Sequence, residues 1–238
     1  MWRDDLWRFF QQRIFTLDVL RLPIQPLRPL FNPWRDCDLR VDLPHADAIR
    51  RENLRSYLGS FPQRPQAVVV GEAPGPWDCR FSGIPITGER SLHAGGIRAG
   101  DRVLFEGRRS SRDVPEMDLT RRAPFQSPSS AIFWGIMAEH HPKFLIWNCV
   151  PLHPHLPGRP LSVRTPTPAE AACFTDYLGE YLAIVRPQVV IAMGRKAQES
   201  LARLDIACRY VRHPSMGGAP SFRAGMKGFM AELQPPAD

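Results

Sequence analysis

Residues 67–91, AVVVGEAPGPWDCRFSGIPITGERS, decide how the chain is read. Ala67 to Val70 form a short, wholly apolar run rich in β-branched residues, which is how a strand covered on both faces looks. It breaks without a spacer into glycines, prolines and two acids. The strand therefore delivers polar groups straight from its carboxyl end. Two more runs repeat the pattern: KFLIWN (143–148) leads into NCVPLHPH (148–155), and VVIAMG (189–194) leads into RKAQES. A weaker fourth run, CRYVRH (208–213), leads into PSMGG.

Helical patterns fall between these runs. One covers 129–140; a second covers 168–185, opened by Thr167 as cap and Pro168 in its first turn; a third covers 195–204; a last one, 220–233, closes the chain. This alternation predicts an α/β fold, a three-layer sandwich whose short, mostly parallel central sheet of about four strands is flanked by helices. The 238 residues are read as one domain, 1–238. Residues 1–44 form an N-terminal extension: a helix over the first sixteen residues with Leu6, Phe9, Phe10 and Ile14 on one stripe, then RLPIQPLRPLFNPWRD, whose four prolines predict an extended segment wrapping the surface. A further helix is expected over 45–58. Residues 93–127 carry seven arginines among glycines, serines and prolines, and read as a long loop or insertion.

Composition narrows the function classes. No stretch reaches the ~18 to 20 apolar residues of a membrane span, and Asp4 and Asp5 precede the apolar stripe that starts at Leu6, unlike a secretory signal. A soluble, cytoplasmic monomer is expected. Five scattered cysteines without a C-x-x-C pair argue for reduced thiols rather than a disulfide framework. The excess of 31 basic over 24 acidic residues, net +7, points toward a polyanionic partner.

In open parallel sheets ligands bind outside the carboxyl ends of the strands. Glu72, Asp78, Asn148 and His213 would then share one rim. Singly each has a plain structural reading, since an Asn after a strand is commonly a turn residue and Glu72 can accept backbone hydrogen bonds. Their convergence at strand ends is the argument for a site. Gly194, Arg195 and Lys196 open a helix without the spacing of a nucleotide-binding fingerprint, and are placed to meet a phosphate or merely to start the helix.

Taken together, GEAPGPWDCRFSGIPITG, WNCVPLHP and HPSMGG resemble three motifs of the uracil-DNA glycosylase superfamily, most closely its iron-sulfur (family 4) branch, over about residues 67–225. The resemblance implies a DNA repair enzyme that flips uracil out of DNA and hydrolyses its N-glycosidic bond, with uracil-containing DNA as partner. By the same resemblance Asn148 reads the base edge, His213 donates to the departing base, and Asp78, favoured over Glu72, positions the water. Gly71 and Ala73 approach the base, while Pro74, Gly75, Pro214 and Ser215 hold phosphates; Arg195 and Lys196 would join them only if their helix start meets the DNA. Met216 and Gly217 enter the duplex. Non-catalytic binding to DNA or an abasic site, and excision of hypoxanthine or xanthine, are the alternatives.

Two departures accompany the resemblance. The aromatic residue expected after Pro85 is Ile86, so Ile86 itself, Phe81 or Trp77 would pack on the base. Of four cluster cysteines only Cys173 has a counterpart; Leu152 stands at the third position, and Cys37 is the single cysteine ahead of the first motif, where the resemblance calls for a pair. No cluster, other cofactor or metal is expected. A zinc hydrolase built on His140, His141, His153 and His155 is a rival without a clear third ligand.

Overall fold

A computed structural model describes residues 2–24, 28–117 and 121–233. Its central sheet contains β2 (Ala67–Gly71), β5 (Phe144–Asn148), β7 (Val189–Met193) and β8 (Arg209–Val211), in the order β5-β2-β7-β8, with every pair parallel. Register pairs Gly71 with Asn148, and Met193 with Val211. The strand ends therefore line up along one carboxyl edge.

Helices cover both faces, as the uninterrupted apolar runs require. Phe144 meets Phe133 of α5 (Pro128–Met137), at 6.0 Å between ring centroids; Phe133 in turn meets Phe222 of α9 (Ala219–Glu232) at 5.6 Å. Trp147, three residues on and so on the opposite face, stacks on Tyr181 of α7 (Thr175–Val185) at 5.1 Å and meets Phe10, just after α1 (Trp2–Phe9), at 5.1 Å. The expected stripe of Leu6, Phe9, Phe10 and Ile14 is buried in this layer. The remaining helices are α2 (Ala46–Gly59), α3 (Cys79–Ser82), α4 (Glu89–His93), α6 (Pro168–Cys173) and α8 (Arg195–Ala202).

Three expectations are corrected. The helix read over 168–185 is two helices, because Phe174 leaves helical geometry (φ −101°, ψ 8°) and sinks into a small core with Leu17, Val19, Leu30 and Leu152. Residues 93–127 are not all loop: β3 (Ile97–Ala99) and β4 (Arg102–Phe105) form a hairpin with Ile97 and Phe105 buried. The arginine content masked that short alternation, and residues 118–120 lie outside the described residues. The proline-rich segment, apart from 25–27, which are likewise not described, is only partly on the surface: Arg21, Pro23, Arg28 and Arg35 are exposed, but residues 30–34 are not. Leu30, Phe31, Asn32 and Trp34 are buried; β1 (Leu30–Phe31) pairs antiparallel with β6 (His153–Pro154), and Trp34 Nε1 donates to Gly83 O at 3.0 Å.

That segment is clamped by an ion cluster. Asp42 Oδ1 lies 2.6 Å from both Arg80 Nη1 and Arg50 Nη2, and all three side chains are fully buried. Arg80 also lies between the rings of Phe31 (4.2 Å) and Phe81 (4.3 Å). Glu89 holds the arginine-rich insertion from below, accepting from the backbone N–H of Ser110 and Phe125 and from the Ser111 hydroxyl. No helix among the described residues is long and apolar enough to cross a membrane.

Candidate active site

Asn148 ends β5 on the face shared with Phe144. It is only 6% exposed, yet its side-chain amide makes no hydrogen bond with any described residue. Unlike Arg50 Nη2 and Arg80 Nε, its polar atoms are not sealed from solvent, so the amide looks out through a small opening and serves no backbone group among the described residues. Its Oδ1 leans over Gly71, where a Cβ would lie 2.7 Å away, and Met193 Cε borders the same spot at 3.5 Å. Gly71 is what lets the amide lie across the end of β2.

His213 follows β8 and lies against Gly194, whose φ of 92° only glycine adopts readily, with 3.4 Å between the His213 Cβ and the place a Gly194 Cβ would take. Its Nδ1 accepts from the Ser215 backbone N–H at 3.1 Å and lies 2.7 Å from Ser215 Oγ. A neutral ring that accepts at Nδ1 carries its proton on Nε2. Burial, with the Arg212 charge adding to it, lowers the His213 pKa below the ordinary histidine value. The side chain is thus neutral near pH 7, with Nε2–H free to donate. Three strand spacings of ~4.8 Å separate the backbones of β5 and β8, and the side chains lean inward from the two ends, over Gly71 and against Gly194. Larger grooves lie elsewhere on the molecule, one of about 640 Å³ beside Arg13 and Tyr177. What marks the rim is the chemistry of its groups, not its size.

The two acids behave differently from expectation. Both Asp78 oxygens are engaged by Ser127, which donates its backbone N–H to Oδ1 at 2.9 Å and its hydroxyl to Oδ2 at 2.6 Å; Ser127 is the residue that caps α5. Burial raises the Asp78 pKa while these bonds oppose the rise. Asp78 thus ties the first motif to a helix start, with both oxygens occupied by Ser127. Glu72 makes no side-chain hydrogen bond with a described residue. It follows Gly71 on the other face and lines a groove of about 150 Å³ with Val150, Lys196 and Glu199. Burial raises its pKa, and the Lys196 charge works against that.

Phe81 is also corrected. Its ring is wholly enclosed by Val41, Val114 and Phe125, the last at 4.5 Å, and has no face open to a base. Ile86 is half-buried against the main core with φ 44°, a left-handed conformation rare for a β-branched residue. The next residue anchors it: Thr87 Oγ1 donates to Pro85 O and accepts from Trp134 Nε1, each at 2.9 Å. Ala73 and Gly75 are half-buried and Pro74 is buried, its carbonyl 2.8 Å from His153 Nδ1.

After His213 the chain turns sharply. Pro214 is buried, whereas Met216 is 91% exposed at φ 51° and is followed by Gly217 at φ 75°. A Cβ on Gly218 would lie 2.0 Å from His213 O, so the loop closes only over a glycine there. Arg195 and Lys196 are exposed at the start of α8, with Lys196 paired to Glu199 at 3.0 Å. Among the described residues no group of three or more His, Cys, Asp or Glu side chains is arranged to hold a metal ion. Arg50 and Arg80 are what sequence reasoning missed: in the chain they look like surface charges, and only their spacing to an apolar segment, which is not periodic, hinted otherwise.

A parallel sheet that presents an amide without a hydrogen bond to a described residue and an imidazole along its carboxyl edge defines an α/β protein with a polar rim. Residues 58–229 match the family model described as the uracil DNA glycosylase superfamily, and the chain belongs to that superfamily of DNA glycosylases. No curated protein gives a match. Among solved structures, the fold is similar to that of wild-type SMUG2 from Pedobacter heparinus, with a TM-score of 0.62, 12% identity, and 97% of this chain and 95% of that chain covered.

Proposed function

We propose that this DNA glycosylase removes uracil from DNA by hydrolysing the N-glycosidic bond and leaves an abasic site. The observation that supports the reading is the Asn148 amide, at the end of β5 in a residue 6% exposed and without a hydrogen bond to any described residue. An amide offers one donor and one acceptor side by side, which matches the carbonyl and N–H of the uracil edge and mismatches the reversed edge of cytosine. His213 Nε2–H supplies a donor for uracil O2, where negative charge gathers as the base departs. Such a donor is typically worth ~10²- to 10³-fold.

As the base leaves, the sugar becomes cationic. Of the two acids Glu72 has the free oxygens to order a water or offset that charge, while Asp78 holds the motif in place. The exposed Met216 suits the space vacated by an extruded nucleotide, being long, unbranched and polarizable. Uracil in an extrahelical position is the form such a rim can reach.

The test is incubation of the full chain with single strands and duplexes carrying uracil, hypoxanthine or thymine, followed by alkaline cleavage. Cleavage at uracil is expected, and Asn148→Ala and His213→Ala are each expected to lose at least ~10²-fold in kcat/KM with unchanged folding. Cleavage at hypoxanthine alone would reassign the substrate. Binding without cleavage would make the protein a DNA-binding relative without turnover, and full activity in Asn148→Ala would end the reading of the amide.

A further inference from the structure

A groove of about 330 Å³ lies beside the first motif and takes no part in the amide and imidazole rim. Its lining includes Trp77, Met117, Leu161, Arg40 and Arg159, and none of Gly71, Asn148, Gly194 or His213. Trp77 is half-buried and backed by Phe125, with ring centroids 5.2 Å apart. Its indole N–H has no partner among the described residues. The Arg121 guanidinium lies 5.7 Å from the ring centre, and Arg159 is exposed with no side-chain partner among the described residues. Arg40 is held by both oxygens of Asp38 at 2.8 Å. The groove itself is lined by two cations, Arg40 and Arg159, and one carboxylate, Asp38, while Arg121 over the ring is near the Asp78 carboxylate.

One ring ties this groove to the proposed DNA-binding turn. His153 is 1% exposed and lies between two backbone carbonyls, with Nδ1 2.8 Å from Pro74 O and Nε2 3.2 Å from Pro160 O. Pro74 belongs to the first-motif turn and Pro160 to the groove wall. The turn and the wall are thus positioned together, and Trp77 comes three residues after Pro74.

We infer that this groove binds an unpaired nucleotide of the DNA strand next to the target, its base stacked on Trp77 and its phosphate near Arg159. The inference rests on the glycosylase reading for its orientation, but not for its chemistry. Every base has a π-face, so stacking on an indole with the exposed Arg159 guanidinium nearby selects single-stranded nucleic acid without selecting sequence. An apolar peptide segment would use the indole too, yet would not call for three arginines around it.

The probe is a labelled, uracil-free single-stranded oligonucleotide, with the matching duplex as control, titrated with the full chain while anisotropy is followed. Trp77→Ala is expected to weaken single-strand binding about 10-fold, within the range of one lost base stack, and Trp77→Phe to restore most of it. Arg159→Ala is expected to lower the salt slope by about one for the same probe. If Trp77→Ala does not fold by circular dichroism, Trp77→Leu, which keeps an apolar contact for Phe125 without a π-face, takes its place. Unchanged single-strand affinity in the Trp77 variant, or a loss that is equal for the duplex, overturns the inference. Failure of the glycosylase reading is seen separately, as wild-type protein that releases no uracil. The uracil-free probe still reads the groove in that case.

Discussion

The Asn148 amide rests on the bare backbone of Gly71, with its Oδ1 2.7 Å from the position a Cβ would occupy. Real Cβ atoms do not come that close, so Gly71→Ala must displace the amide. Gly71 ends β2 beside the sheet partner Asn148, so the backbone conformation itself tolerates alanine. Because the amide has no hydrogen bond with a described residue to lose, the variant should retain stability within about 1 kcal/mol. Its excision rate should fall about 10²-fold, the scale of one misdirected polar contact. Single-turnover excision beside thermal melting checks both halves. Wild-type excision by Gly71→Ala would mean that the amide does not read the base from this position.

Met216 holds a left-handed backbone with almost all of its side chain in solvent. Among the described residues its backbone gains only a long bond, from Arg212 Nη2 to Met216 O at 3.5 Å, against a conformation that costs a non-glycine residue on the order of 1 kcal/mol. Met216→Gly should therefore keep or slightly raise the melting temperature. If the side chain fills the hole left by an extruded nucleotide, the same variant should process duplex substrate several-fold more slowly and single strands nearly as well. Parallel time courses on the two substrates decide it, and equal losses on both would count against the wedge.

The strand ends were the legible part of this chain. Apolar β-branched runs that stop abruptly at Gly71, Asn148, Gly194 and His213 announce both a parallel sheet and the edge where its polar groups gather, because pattern and topology there say the same thing. The packing around that edge was not legible. Asp78 lies two residues from Arg80, and nothing local distinguishes an acid that caps a helix 49 residues later from one that holds a water. Phe174 sits inside a perfectly good helical pattern and leaves it only because a distant segment, Leu17 to Leu30, needs a core. Such outcomes depend on which segments meet, and single-sequence periodicity does not carry that information.

His141 gives the fold a pH dependence of known sign. Its ring packs 4.7 Å from Phe61, with Nε2 2.9 Å from Ser60 Oγ. Burial, reinforced by the Arg102 charge, lowers its pKa to about 4. In the unfolded chain the value returns to ~6.5. Between these two values the unfolded state binds the extra proton, so stability is complete above ~6.5 and is lost as pH falls toward 4, by about 2 kcal/mol at pH 4.5. His141→Gln keeps a polar partner for Ser60 without titrating. Urea unfolding of both proteins at pH 7 and 4.5 should show a smaller acid loss in the variant by about that amount. Carboxylate titrations, common to both, cancel in the comparison.

Among the described residues Asp42 is the sole carboxylate bonded to the two buried guanidinium groups of Arg50 and Arg80, and two nitrogens of that cluster, Arg50 Nη2 and Arg80 Nε, lack hydrogen bonds to a described residue. The cluster already carries an excess positive charge that the rings of Phe31 and Phe81 help to accommodate. Removing the anion leaves two cations in the interior, and breaking a buried pair in this way costs roughly 3–5 kcal/mol. Asp42→Ala should therefore lose stability on that scale and release the segment from Leu30 to Asp42, seen as faster hydrogen exchange at Trp34 and Asp42 neighbours. Replacing all three charges with Asp42→Leu, Arg50→Met and Arg80→Met should recover most of the loss, since well-packed apolar groups match a buried ion cluster in stability. If Asp42→Ala melts like wild type, the cluster is solvated in solution and the clamp on the N-terminal segment must lie in Trp34 and Asn32 instead.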